Sequence, residues 1–194
     1  MRTSRSMLIA ILFIAFVAFA GYSAMPKAPT DKKQGIEAFS IVEQVFQHPR
    51  CSNCHIPGDA PLQFDTQTPH MMNVVRGPKG TGSPALPCSA CHQEQNAPDS
   101  YGPNAPPGAP NWHLPPPDQK MAWIGVSATQ LCDIIKDRKR NGNRDLPMML
   151  EHVSTDKLVL WGWQPGGNRQ AVPVPHDVFI TAFKTWMDAG APCP

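Results

Sequence analysis

Cys51-Ser52-Asn53-Cys54-His55 recurs, with one change, as Cys88-Ser89-Ala90-Cys91-His92. On a helical turn the two cysteines stand at i and i+3 and the histidine at i+4, so all three share a face. Two thiols and an imidazole so presented match the two vinyl groups and the iron of one haem, and C-x-x-C-H is the attachment pattern of c-type haem. Zinc knuckles and redox dithiols also use C-x-x-C. Zinc ribbons place about 15–20 residues between knuckles; here 33 separate Cys54 from Cys88. Neither alternative calls for a histidine directly after each second cysteine. With 7 His in 194 residues, chance puts one at both places with a frequency of (7/194)², roughly 0.001. The expectation is two haem c groups attached through Cys51, Cys54, Cys88 and Cys91, with His55 and His92 as iron ligands.

Residues 1–24 read as a signal peptide or an N-terminal membrane anchor. Arg2 and Arg5 form a basic start, Met7 to Ala20 is an unbroken apolar run, and Ala18-Phe19-Ala20 resembles a cleavage site. Extended through Ala24 the run reaches 18 residues, the lower edge for a spanning helix. Either way the rest of the chain is expected in the periplasm, or facing it from the inner membrane. Such an oxidising compartment is where c-type haem is attached. The net charge of +2 and the absence of a basic run with interleaved aromatics argue against nucleic acid as a partner.

Residues 25–34 read as a linker and 35–194 as one dihaem domain, mostly α with extensive Pro/Gly-rich loops. The 23 Pro and 14 Gly restrict long helices and central strands, and leave a thin core that two haems would fill. Ile36, Phe39, Val42, Val45 and Phe46 follow helical spacing until His48-Pro49 stops them. Ile56 to Pro87 is a connector, and 96–117 is the most proline-dense stretch. Ser127-Ala128-Thr129-Gln130 is a capping box, whose helix is expected to end near Asn141-Gly142. Leu146 to Val153 and Phe179 to Trp186 keep the same rhythm. Cys132 and Cys193 lie outside the motifs, and a disulfide between them would tie the 127–140 helix to the C-terminus.

Each iron has a sixth position, closed by a second protein ligand in a carrier and open in an enzyme. His48, His70, His113, His152 and His176 are the remaining histidines. His70, in the connector within reach of either haem, is the leading candidate, and His113, beside Trp112, is the second. His48 is too near Cys51 to reach over the same haem. His152 ends one expected helix and His176 starts another, positions where a capping or solvated histidine is the default. Met71-Met72 and Met148-Met149 offer methionine ligation instead, although Met149 falls on an apolar stripe.

The two motifs, His-Pro-Arg-Cys at 48–51, Pro-Asn-Trp-His-Leu at 110–114 and Trp-Gly-Trp at 161–163 together resemble a family of small exported dihaem c-type cytochromes. Its members are often labelled as subunits associated with isoquinoline 1-oxidoreductase, a molybdenum hydroxylase. The arrangement is also similar to the small dihaem subunit of periplasmic nitrate reductase, where bis-His ligation is the rule. The resemblance implies electron transfer between redox partner proteins, such as a molybdenum hydroxylase or a respiratory-chain component. Two alternatives are a dihaem enzyme with one open iron, acting on peroxide or a sulfur compound, and a haem-based sensor. No motif marks a catalytic acid or base, and no signalling module is present.

Overall fold

The Asp31 carboxylate accepts the Gln34 backbone N–H at 2.7 Å and so opens helix α1 (Lys32–Phe46). The linker expected over 25–34 therefore stops short: Lys32, Lys33 and Gln34 are already the first turn. This is a computed structural model that describes residues 31–194; the signal peptide or membrane anchor expected at 1–24 and the rest of the expected linker lie outside the described residues. α1 turns Phe39, Val42, Val45 and Phe46 inward, all buried. They meet α6 (His176–Asp188), whose Phe179, Phe183 and Trp186 complete the core; the Phe39 and Trp186 ring centroids are 5.1 Å apart. Gly35 permits this approach, because a Cβ there would lie 2.6 Å from the Ala189 Cβ.

α2 (Pro49–Ser52) follows after one turn. α3 (Ala128–Lys136) starts at the expected capping box, formed in both directions between Ser127 and Gln130. It packs Leu131 and Ile135 on the core. It ends earlier than the Asn141-Gly142 signal suggests: Asp137 is extended, and the buried Asn141 side chain donates to the Ile135 and Arg144 carbonyls. α4 (Leu146–Thr155) and the short α5 (Lys157–Leu160) complete the helical set. Cys132 and Cys193 are joined by a disulfide, and Lys136 and Thr129 donate to the Ala191 and Pro194 carbonyls, so the C-terminal tail is fastened to α3.

The expectation of a mostly helical chain with long loops holds. Between α2 and α3 the described backbone forms two short antiparallel hairpins. One is β1 (Leu62–Gln63) with β2 (Thr68–Pro69), pairing Leu62 with Pro69. The other is β3 (Gly82–Ser83) with β4 (Leu86–Pro87), pairing Gly82 with Pro87. Arg76, fully buried, holds these loops together by donating to the carbonyls of Ile56, Gly58 and Pro115. Gly80, at φ +81°, lets the 110–114 run close in, where the Leu114 N–H donates to the Gly80 carbonyl at 2.8 Å. Among the described residues no helix is long and apolar enough to cross a membrane.

Candidate functional site

The two Cys-x-x-Cys-His segments close as the same turn. In the first, the N–H groups of Cys54 and His55 both donate to the Cys51 carbonyl at 3.2 Å; in the second, those of Cys91 and His92 donate to the Cys88 carbonyl at 3.2 and 2.9 Å. The first turn is prepared by α2. There Pro49 takes the first helical position, and the Arg50 N–H is accepted by His48 Nδ1 at 3.2 Å. All four motif cysteines are unbridged. Burial pushes the Cys51 thiol up to about 12 and the Cys54 thiol up to about 11, with Cys88 adding to the second shift.

Each motif histidine is oriented in the same manner. His55 Nδ1–H donates to the Met121 carbonyl at 3.2 Å, and the Trp123 ring lies parallel to the imidazole with centroids 3.4 Å apart, backed by Phe46 at 4.4 Å. His92 Nδ1–H donates to the Pro107 carbonyl at 2.7 Å, and Trp112 lies parallel to it at 4.4 Å. Trp112 is the aromatic expected beside a cofactor motif. Trp123 has no such sequence signal, because it reaches His55 from 68 positions along the chain. Burial, the largest cause in each case, holds both imidazoles below their ordinary range, His55 down to about 3. His152 and, more weakly, His113 add to the shift at His55. Both rings are therefore neutral at physiological pH, the form that ligates a metal.

The partner of Nδ1 sorts all seven histidines. A carbonyl or carboxylate can only accept, so a histidine that donates from Nδ1 carries its lone pair on Nε2. His55, His92, His70 (to the Met71 carbonyl, 2.9 Å) and His113 (to the Asn111 carbonyl) meet this condition; His152 Nδ1 faces Asp156 Oδ2 at 3.4 Å, a charge-pair distance. His48 does not, because its Nδ1 accepts the Arg50 N–H and its Nε2 must hold the proton. His176 does not either: its Nε2 donates to the Val153 carbonyl at 3.0 Å and its ring packs on Trp163.

Placement then narrows the set. His70 faces His92, with ring centroids 6.2 Å apart and planes inclined at 66°. His113 and His152 line a cavity of about 270 Å³ that also exposes Cys51, Cys54 and His55. Its walls are otherwise mainly aromatic and aliphatic, including Phe46, Trp161, Trp163 and Phe179. The second turn lies nearer the surface: Ser89, Ala90 and Cys91 are exposed. Met71, Met72 and Met148 are exposed, while Met149 is buried in the core at the edge of the cavity. Among the described residues no group of three or more His, Cys, Asp or Glu side chains gathers as a metal cluster.

Among the described residues three buried donors lack a hydrogen-bond partner, Arg50 Nε, Arg76 Nε and Trp123 Nε1, and of these Arg50 carries charge at the cavity. Arg50, buried, pairs with Asp65 and lies over Trp161, yet its Nε has no hydrogen-bond partner among the described residues, and its side chain lines the cavity with Arg144. A buried donor without an acceptor is rare unless a ligand supplies one. No family model, no curated protein and no solved structure matches the chain.

Proposed function

We propose that this is an exported electron-transfer protein holding two covalent c-type haems, one on each Cys-x-x-Cys-His turn, and relaying electrons between redox partners. The observation that carries the reading is the His70–His92 pair. A metal–imidazole bond is about 2 Å and the ring centre stands ~1 Å further out, so two histidines flanking one metal have centroids ~6 Å apart. His70 and His92 stand at 6.2 Å with the lone pair on Nε2 in both. Rings in simple contact also lie about 4.5–7 Å apart, so the separation draws its force from the matched tautomers and from the motif that ends in His92.

The donor set fits the group. Cys51, Cys54, Cys88 and Cys91 would form the thioethers, His55 and His92 would ligate iron from the motif side, and His70 would complete the second site. Arg50 Nε–H, with Arg144, would meet carboxylates at the first site. When bound, haem supplies a one-electron couple whose potential is set by axial ligands, hydrogen bonds and burial. The protein's own groups do the remainder. The Met121 and Pro107 carbonyls fix the tautomers, Trp123 and Trp112 hold the ring planes, and apolar side chains line most of the first site.

An iron between two imidazoles has no place for substrate, which favours the carrier over a dihaem enzyme. Trp112, stacked on His92 and on the wall of the first site's cavity, links the two sites and suits transfer between them. The resemblance at 48–51, 110–114 and 161–163 points to a molybdenum hydroxylase or a respiratory-chain component as partner, with the protein in the periplasm or facing it from the inner membrane. The test is the denatured mass of protein made with haem-maturation machinery, with the EPR spectrum of its oxidised form and the optical spectra of both redox states. Two covalent haems, low-spin in both redox states, are expected; one haem, or haem extractable by acid acetone, refutes the reading.

A further inference from the structure

If two haems are present, one axial position remains without a named occupant: the sixth ligand at the iron of His55. We infer that His152, held in place by Asp156, is that ligand. The inference rests on the two-haem reading and narrows it to one side chain.

Three histidines outside the motifs, His70, His113 and His152, have an acceptor facing Nδ1, and His70 is engaged at His92. The choice is between His113 and His152, both on the wall of the His55 cavity. His113 is exposed and is steadied only by the carbonyl of Asn111, two residues back in its own loop. His152 stands on α4 between the buried Met149 and Val153, with its side chain 27% exposed. One turn on, the Asp156 carboxylate faces its Nδ1. That carboxylate is itself fixed, because its Oδ1 caps α5 by accepting the N–H groups of Leu158 and Val159 at 2.8 and 3.4 Å. A carboxylate behind a histidine is the usual second partner of a metal-bound imidazole; it fixes the tautomer and raises the basicity of the ligating nitrogen. A helix-borne imidazole with a fixed carboxylate behind it is preorganised, and an exposed loop histidine is not.

The experiment compares His152→Ala, His113→Ala and His152→Met in the full chain matured with haem. In His152→Ala one of two haems is expected to turn high-spin and to bind carbon monoxide on mixing, with the denatured mass unchanged and added imidazole restoring the low-spin spectrum. His113→Ala is expected to keep the wild-type EPR signals. His152→Met guards against a folding failure in the alanine variant: it is expected to show a sulfur-to-iron charge-transfer band and a raised potential at one haem. Asp156→Asn, a change in a positioning residue, is expected to stay low-spin and to shift only the potential of that haem. Low-spin iron in His152→Ala, or high-spin iron in His113→Ala, overturns the inference. So does a His152→Met protein with an unaltered spectrum. A wild-type mass with fewer than two haems would instead remove the reading on which the inference rests.

Discussion

Arg76 shows how much one buried side chain decides in a chain short of regular structure. Its guanidinium ties the residues just after the first motif to Pro115, and its backbone N–H donates to the Asp59 carbonyl at 2.7 Å. Leaving buried carbonyls without donors costs about 1–3 kcal/mol each. Arg76→Met is therefore expected to lower stability by at least about 3 kcal/mol in a denaturant titration, and Arg76→Lys to recover little, since one ammonium cannot span the same acceptors. An unchanged midpoint would show that the loops do not depend on it. At His70 the expectation is spectroscopic: His70→Ala should make the second haem high-spin and open a carbon monoxide site, and an unchanged spectrum would refute the pairing with His92. The motif histidines were legible because their cysteines mark them. The roles of the other five were not, because Nδ1 partners decide them and any residue can supply a carbonyl. Those of His55 and His92 come from 66 and 15 residues away. His152 in particular reads as an ordinary helix-end histidine until Asp156 is seen behind it.

Among the elements, α1, α3, α4 and α6 follow from spacing and caps, since amphipathic periodicity registers directly which residues the core takes up. The boundaries were less legible. The start at Lys32 depends on Asp31 acting as a cap, and the end of α3 on a buried Asn141 that replaces the expected glycine stop. Neither hairpin in the connector has alternating apolar residues, and both contain proline, so no strand pattern announces them. Ser127→Ala should cost about 1 kcal/mol by removing the cap of α3, measured as a lower thermal midpoint with unchanged haem spectra. Removing the Cys132–Cys193 bridge, which spans 61 residues, should cost about 3–4 kcal/mol on the chain-entropy model. A Cys132→Ala/Cys193→Ala protein as stable as the parent would show that the contacts of Thr129 and Lys136 hold the C-terminal tail to α3 by themselves.

At the scale of the whole molecule the helices gather at one core, and the motif turns lie where that core meets the proline-rich loops. The first turn opens on an apolar cavity against Phe46 and Phe179, and the second lies near the surface. A recessed, mainly apolar site beside an exposed one suits a relay: the exposed site can meet a partner, and the recessed one sits against the core. A carrier and an enzyme built on this plan differ in one measurable respect. Where two imidazoles hold each iron, one must leave before an outside ligand enters. The reduced wild-type protein is therefore expected to bind carbon monoxide slowly or not at all, and to show negligible peroxidase activity. It should turn over no small sulfur or nitrogen compound without a redox partner. Electron exchange with small artificial mediators should stay fast, because it needs access to a haem edge and no vacant coordination site. Stopped-flow mixing of the reduced protein with carbon monoxide, set beside its oxidation by a mediator, separates the two. Rapid binding at one haem together with steady substrate turnover by the isolated protein would replace the carrier with the enzyme.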